Sequence, residues 1–107
     1  MEFHDDVLKI AHQKIFFSRH ALDQMNKPDR LITPKEVEEV IFSGKLIEDY
    51  VEDSRGHSCL LSGKTEQKRV LHVVCAPQKE YLLVITSYIP NPEEWDIMLE
   101  KRKRPNL

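Results

Sequence analysis

The feature that most constrains this chain is a change of sequence pattern at Gly44. Before it, apolar residues recur at three- and four-residue spacing, which is typical of amphipathic helices. After it come four runs rich in Val, Ile, Leu and Tyr, joined by short polar connections that suit hairpins. We therefore expect an α+β domain whose N-terminal helices pack on a four-stranded antiparallel sheet. The four runs are 46–51, 58–62, 69–76 and 81–89.

The best-marked helix precedes this change. Thr33 is placed to cap it, Pro34 occupies its first turn, and Glu36 lies three residues after Thr33, as a capping box requires. Gly44 marks its end. Two earlier helices are predicted, and a short C-terminal helix with Trp95, Met98 and Leu99 facing inward. They are predicted at 3–13, from Ser18 to before Pro28, and at 93–101.

The length of 107 residues fits a single domain, 1–107. No apolar run approaches the roughly 20 residues of a membrane span. The acidic N-terminus does not resemble a secretory signal, so a cytoplasmic location is expected. Cys59 and Cys75 form no Cys-x-x-Cys pair and are expected to pack as small hydrophobic residues.

The net charge of −2 is unevenly distributed. Residues 34–53 carry two basic and seven acidic side chains, a net charge of −5. The remainder carries +3 and ends in the basic run 101–104. A basic run of this kind is either a nucleic-acid contact or a solvated helix end.

The five histidines offer the side chains whose ordinary pKa lies nearest neutrality. None forms a His-x-x-x-His pair, and glycine-rich phosphate loops are absent, so no metal and no cofactor are expected. His20 follows Arg19 at a predicted helix start, where free amides attract anions. The pair could flank a phosphate, or His20 could simply bond a nearby carbonyl.

His72 interrupts an apolar strand. Alternation places it on the sheet face opposite Leu71, Val73 and Cys75, where Thr86 or Tyr88 could be its neighbour. If Leu71, Val73 and Cys75 face the helices, His72 lies on an open face and is available for chemistry. The alternative is a core histidine whose ring bonds a hydroxyl.

Arg55 and His57 lie in the turn between the first two predicted strands, beside Tyr50. A cation and an imidazole next to an aromatic strand residue could grip and stack an RNA strand. Such residues in a turn are also often simply solvated, and both possibilities stay open.

Five sequence blocks, in this order, resemble a domain of unknown function (family 4258). The resemblance covers about residues 17–95. The blocks are Phe17-Ser-Arg-His-Ala21, Ile32-Thr-Pro-Lys-Glu-Val37, Ser43-Gly44 with Ile47-Glu-Asp-Tyr50, Leu71-His-Val-Val74, and Val84-Ile-Thr-Ser-Tyr88 with Pro90 and Trp95.

That family is similar to the RelE/ParE and BrnT superfamily of small toxins. The resemblance implies helices on a four-stranded antiparallel sheet and a metal-independent endoribonuclease that acts on free or ribosome-bound RNA. It also implies an antitoxin protein as partner and the toxin component of a toxin–antitoxin system as the role. No oligomeric state follows from it.

The resemblance carries over to particular residues of this chain. His72 or His20 would act as general base and the other as acid, while Arg19 or Arg55 would stabilise the phosphate. Tyr88 belongs to the matched Thr-x-Tyr ending and is the fifth predicted catalytic residue. The predicted RNA-binding residues are Tyr50, His57, Arg69, Thr86, Lys101 and Arg102.

RNA-cleaving relatives are usually basic, and this chain is not. A non-catalytic module of the same fold, binding a protein through a sheet edge or the acidic helix, is therefore the alternative. Metal sensing through scattered histidines is a third. If the positive side chains converge on the face bearing His72, ribonuclease activity is favoured; if they scatter, the binding module is.

Overall fold

Three helices and five strands make up the computed structural model, which describes residues 2–96 and 98–103. Among these residues, no helix is long and apolar enough to cross a membrane. The helices are α1 (Glu2–Gln13), α2 (Arg19–Met25) and α3 (Pro34–Ser43), and the strands are β1 (Ile15–Phe17), β2 (Lys45–Tyr50), β3 (Ser58–Lys64), β4 (Val70–Pro77) and β5 (Leu82–Tyr88).

The four predicted strands and the three N-terminal helices are confirmed to within a few residues at each end. β2, β3, β4 and β5 pair as consecutive antiparallel neighbours, and β4 is the central strand of the order β1-β5-β4-β3-β2. A register shift in β2 between Leu46 and Glu48 leaves Ile47 without a partner on β3.

The prediction of a four-stranded, purely antiparallel sheet was wrong because β1 adds a fifth strand. It runs parallel to β5, with Ile15 beside Leu82 and Phe17 beside Val84. A three-residue run between two helices is too short for alternation to be recognised, and its partner lies far away in the chain. The sheet is therefore mixed.

All three helices pack on one face of the sheet, called here the helix face. Val7 and Ala11 of α1, Ala21 and Met25 of α2, and the apolar side of α3 form one buried cluster with the strands. The strand residues of this cluster are Cys59, Leu61, Leu71, Val73, Cys75, Leu82 and Val84.

The predicted caps of α3 are confirmed. Thr33 Oγ1 accepts a hydrogen bond from the Glu36 amide, and Glu36 Oε1 accepts one from the Thr33 amide. Gly44 ends the helix with a φ of −80°, so its small size matters rather than a left-handed backbone. A Cβ there would lie 2.5 Å from the Val40 carbonyl oxygen and 2.7 Å from that of Ser62. α3 can therefore lie directly against β3.

The predicted C-terminal helix at 93–101 was wrong. This stretch is made of turns in the described residues, and it forms one isolated bridge between Trp95 and Arg102. Asp96 Oδ1 accepts hydrogen bonds from the amides of residues 100 and 101, and Leu99 has a φ of +59°. A left-handed residue cannot continue a helix. Trp95 is buried as predicted, whereas Met98 is 64% exposed.

A buried ion pair joins α3 to the start of β4. Arg69 donates to both carboxylate oxygens of Glu36, at 2.9 and 2.7 Å, and Thr65 Oγ1 donates to the same carboxylate at 3.3 Å. Arg69 also donates to the carbonyls of Arg30 and Leu31 in the loop between α2 and α3. The Arg69 hydrogen bonds, opposed by burial, lower the pKa of Glu36 to about 2.

We expect Arg69→Met to lower the free energy of unfolding by about 3 kcal/mol, because it leaves the Glu36 carboxylate buried without a cation. Lys35→Met is the matched control: its ion pair with Glu66 spans 4.0 Å, and both side chains are 79% exposed. Its effect should stay within about 0.5 kcal/mol. Urea denaturation measures both. Equal losses in the two variants would contradict a special role for the buried pair.

The same carboxylate predicts a pH dependence. The pKa of Glu36 falls from 4.5 to about 2 on folding, so its contribution to stability is complete above pH 4.5 and is lost as the pH falls towards 2. In the Glu36→Gln variant, the free energy of unfolding should depend less on pH between 4.5 and about 2. The measurement is urea denaturation at a series of pH values. If Glu36→Gln keeps the same pH dependence of the unfolding free energy as the wild type, other titrating groups cause it.

Candidate functional site

The face of the sheet opposite the helices, called here the outer face, carries His72. Leu71 and Val73 point into the helix-face core, so alternation along β4 places His72 on the outer face, as predicted. Tyr88 lies directly opposite on β5, which confirms one of its two predicted neighbours. The outer face is not open at this point, because His72 is fully buried.

His72 is covered by residues 90–96 and 98–103, called here the C-terminal segment. Its Nε2–H donates to the Leu99 carbonyl at 2.6 Å, and Tyr88 O–H donates to Nδ1 at 3.3 Å. The Trp95 ring meets the imidazole edge-on, with 4.5 Å between centroids. Burial lowers the pKa of His72. Both ring nitrogens are thus engaged in the neutral form, as in the alternative of a core histidine bonded to a hydroxyl.

A second group of polar side chains lies on the same face, at the neighbouring edge strand β2. Arg102 Nε and Nη2 donate to Glu48 Oε2 and Oε1, at 2.8 and 3.1 Å, as a bidentate pair. The Tyr50 hydroxyl also donates to Glu48. The Arg102 guanidinium carbon lies 4.6 Å from the Trp95 ring centroid. The outer-face cluster therefore consists of Glu48, Tyr50, His72, Tyr88 and Arg102, closed by Trp95 and Leu99.

The electrostatics of the outer-face cluster keep its acids and bases in their ordinary charge states at neutral pH. Burial and the bond to Glu48 raise the pKa of Tyr50 to about 12, and burial raises that of Tyr88. Burial favours the neutral form of Glu48, but the hydrogen bonds from Arg102 and Tyr50 outweigh it and lower its pKa. The hydrogen bond to Glu48 raises the pKa of Arg102. The cluster holds a neutralised ion pair and no free base.

Thr86 is the last predicted residue that the structure places on this face. It lies opposite Val74 on β4, two residues before Tyr88, and is half-buried. Five of the eleven predicted site residues therefore share the outer face: Tyr50, His72, Thr86, Tyr88 and Arg102. Lys101 is exposed on the C-terminal segment next to Arg102.

Arg19 and His20 are not brought to this cluster. They are the first two residues of α2, both exposed, and α2 packs through Ala21 and Met25 into the helix-face core. His72 lies on the other side of the sheet. The predicted acid–base pair of His20 and His72 is therefore not assembled in this structure, although each role stays a prediction.

Charged side chains of the turn between β2 and β3 pair with carboxylates close to them in the chain. Arg55 donates to both carboxylate oxygens of Asp53, at 3.0 and 2.9 Å, which lowers the pKa of Asp53. His57 binds Asp49 and stacks on Phe3 of α1, with 3.5 Å between ring centroids. These contacts join α1 to the turn, and they direct neither side chain towards His72.

The predicted RNA-binding residue Arg69 lies in the buried pair with Glu36. Within the described ranges, Arg30, Arg55 and Arg102 also have a carboxylate partner each, and Arg19 has none. Of these arginines, Arg102 lies near His72, and the others are distributed over other parts of the molecule.

Three residues of the site were not predicted: Glu48, Trp95 as a ring contact of His72, and Leu99. Glu48 alternates with Tyr50 along β2, so the sequence contained a signal that both share a face. The Leu99 carbonyl is a backbone group in a turn, which no side-chain pattern reveals.

No three His, Cys, Asp or Glu residues come together as a metal site in the part of the chain that the structure describes. Cys59 and Cys75 are opposite each other on β3 and β4, fully buried, with 3.9 Å between sulfur atoms. The bond from Cys59, together with burial, raises the pKa of the Cys75 thiol. Both cysteines pack in the helix-face core.

The two predicted catalytic histidines should differ sharply in stability tests. His72→Ala removes two buried hydrogen bonds and a ring contact, so we expect a loss of about 2–4 kcal/mol of unfolding free energy. It should also shift the fluorescence of Trp95, the single tryptophan, to longer wavelength. His20→Ala, on an exposed helix turn, should change stability by less than about 0.5 kcal/mol. Similar effects of both substitutions would contradict the placement of His72 under the C-terminal segment.

One known protein family matches this chain, and the match stops before the C-terminal segment. The family model described as Domain of unknown function (DUF4258) matches residues 17–89, which include α2, α3, β2 to β5, the last residue of β1 and most of the outer-face cluster. No curated protein and no solved structure matched the chain. The match covers well over half of the 107 residues, and the chain belongs to the DUF4258 family.

Proposed function

We propose that this chain is a non-catalytic protein-binding module. The observation that carries the proposal is the state of His72, which is fully buried with both ring nitrogens bonded, to the Leu99 carbonyl and the Tyr88 hydroxyl. A general base must reach the proton that it removes. In this arrangement, the ring has no free nitrogen to offer to a substrate.

The distribution of positive charge supports the same proposal. Stabilising a phosphate in a transition state without metal requires a cation aimed at it. The Arg102 guanidinium, the cation of the outer-face cluster, is engaged by Glu48. Arg55 and Arg69 are likewise engaged by Asp53 and Glu36.

Negative charge, in contrast, remains available to a partner. Of the seven acidic side chains in residues 34–53, Glu36, Glu48 and Asp53 are paired with arginines, whereas Glu38 on α3 and Glu52 after β2 are exposed. A surface of this charge favours association with a basic protein and repels nucleic acid. We assign binding to these exposed carboxylates of α3 and of the turn that follows β2.

The endoribonuclease toxin is the second candidate. It is favoured by the fact that His72, Tyr88, Tyr50 and Arg102, all predicted from the sequence, lie in one cluster. It would require the C-terminal segment to leave His72 and Arg102 to leave Glu48. The two candidates therefore differ in what the isolated chain does in a cell.

Full-length tagged chain, expressed in its source cells, should retain a protein partner that the double variant Glu38→Lys/Glu52→Lys loses, because the reversed charges repel a basic surface. Asp23→Lys is the matched control, because Asp23 is exposed on α2 and lies outside residues 34–53. This variant should retain the partner. Quantitative mass spectrometry of the captured proteins measures the difference. Retention by all three chains, or by none, contradicts the assigned surface.

Induction of the chain alone decides between the two candidates. A binding module should leave growth and cellular RNA unchanged. Growth arrest, with RNA cleavage that persists in chelator and disappears in a folded His72→Ala chain, would overturn the proposal in favour of the ribonuclease.

A further inference from the structure

The contact between Arg102 and Glu48 shows what kind of group the outer face can hold. The carboxylate takes both nitrogens of the guanidinium fork, the Tyr50 hydroxyl occupies the same carboxylate, and Trp95 packs against the guanidinium plane. A planar fork suits this combination, and a lysine ammonium does not reproduce it.

We propose that Glu48, Tyr50 and Trp95 form a guanidinium-binding site, which Arg102 fills within the chain and which an arginine-bearing basic segment of a partner protein can take over. This inference rests on the proposed binding function and names the chemistry of the partner. The internal occupant Arg102 shows that this carboxylate, hydroxyl and indole accept a guanidinium, and the Glu48 carboxylate, once Arg102 has left it, favours a cation over a nucleic acid.

The internal occupant is held at the surface, where a competitor can reach it. The Arg102 side chain is 58% exposed and that of Glu48 is 22% exposed. Ion pairs in contact with water are weak, since solvent screens the charges. A further ion pair between β2 and the C-terminal segment joins Lys45 to Glu100 over 3.6 Å, and the lysine side chain is 72% exposed.

In its described residues, the C-terminal segment also lacks the hydrogen-bond ladders that hold the sheet, and its pairing there is the isolated bridge between Trp95 and Arg102. It leaves a cavity of about 280 Å³ against β3 and β4, lined in part by Ser62, Val70 and Met98. The family match ends at residue 89, so Glu48 and Tyr50 belong to it, while Trp95 and Arg102 both lie beyond it. The carboxylate and hydroxyl that receive the guanidinium are thus in a different part of the chain from the internal occupant.

The test uses the full-length Arg102→Ala chain, in which the site is vacated. The probes are two capped tripeptides, Lys-Arg-Lys and Lys-Lys-Lys, which differ only in the guanidinium. Binding is followed by NMR, through the amide signals of Glu48 and Tyr50 and the indole signal of Trp95. Arg102→Ala should bind the arginine peptide at least about fivefold more tightly than the lysine peptide.

The wild-type chain should bind the arginine peptide roughly tenfold more weakly than Arg102→Ala does, because its own arginine competes from within the same molecule. Adding Glu48→Gln to Arg102→Ala should abolish the preference for arginine. If Arg102→Ala does not fold, Arg102→Lys replaces it, since a lysine leaves the fork unfilled and should be displaced by the arginine peptide.

Equal binding of both peptides, equal binding by wild type and Arg102→Ala, or indifference to Glu48→Gln would overturn the guanidinium site. An RNA oligonucleotide that moves the same signals would overturn the choice of a protein segment. These results are separable from the proposed function. A captured partner with no arginine preference refutes only the site, whereas a working site with no captured partner refutes only the module.

Discussion

The alternation of side chains along β4, the central strand, sets what each face of the sheet can hold. Leu71, Val73 and Cys75 complete the apolar cluster under the three helices, so His72 has to lie on the opposite side. A buried imidazole there needs partners for both nitrogens. The C-terminal segment supplies one of them through the Leu99 carbonyl, and so the position of one residue in one strand favours a covering segment at this point of the outer face.

The parts of the fold that local pattern determines could be predicted from the sequence. Strand periodicity located β2 to β5, and the caps located α3. β1 could not be found, because three residues carry no period and their pairing with β5 depends on contacts made far along the chain. The prediction of a C-terminal helix was wrong for another reason. Asp96 accepts hydrogen bonds from the amides of the turn, and Leu99 has a left-handed backbone conformation. The spacing of apolar residues indicates neither feature.

The candidate site divides in the same way. Alternation and antiparallel pairing were sufficient to place Tyr88 beside His72. The pairing of Arg102 with Glu48 spans 54 residues and depends on the path of an irregular segment, so no spacing rule contains it. The charge pattern was informative at coarse scale only. It separated an acidic stretch from a basic remainder, but each arginine other than Arg19 then found its own carboxylate within the described residues, and these pairings decide how much positive charge remains for a ligand.

The parallel pairing of β1 with β5 has a consequence for the order in which the molecule forms. Antiparallel β2 to β5 are linked by short turns and can assemble as successive local hairpins. Residues 15–17 instead pair with residues 82–84. Closing so long a loop is entropically unfavourable until the intervening chain has become compact. On the ribosome, α1 and α2 are made before β5, so their packing beside that strand can be completed only after it has followed them.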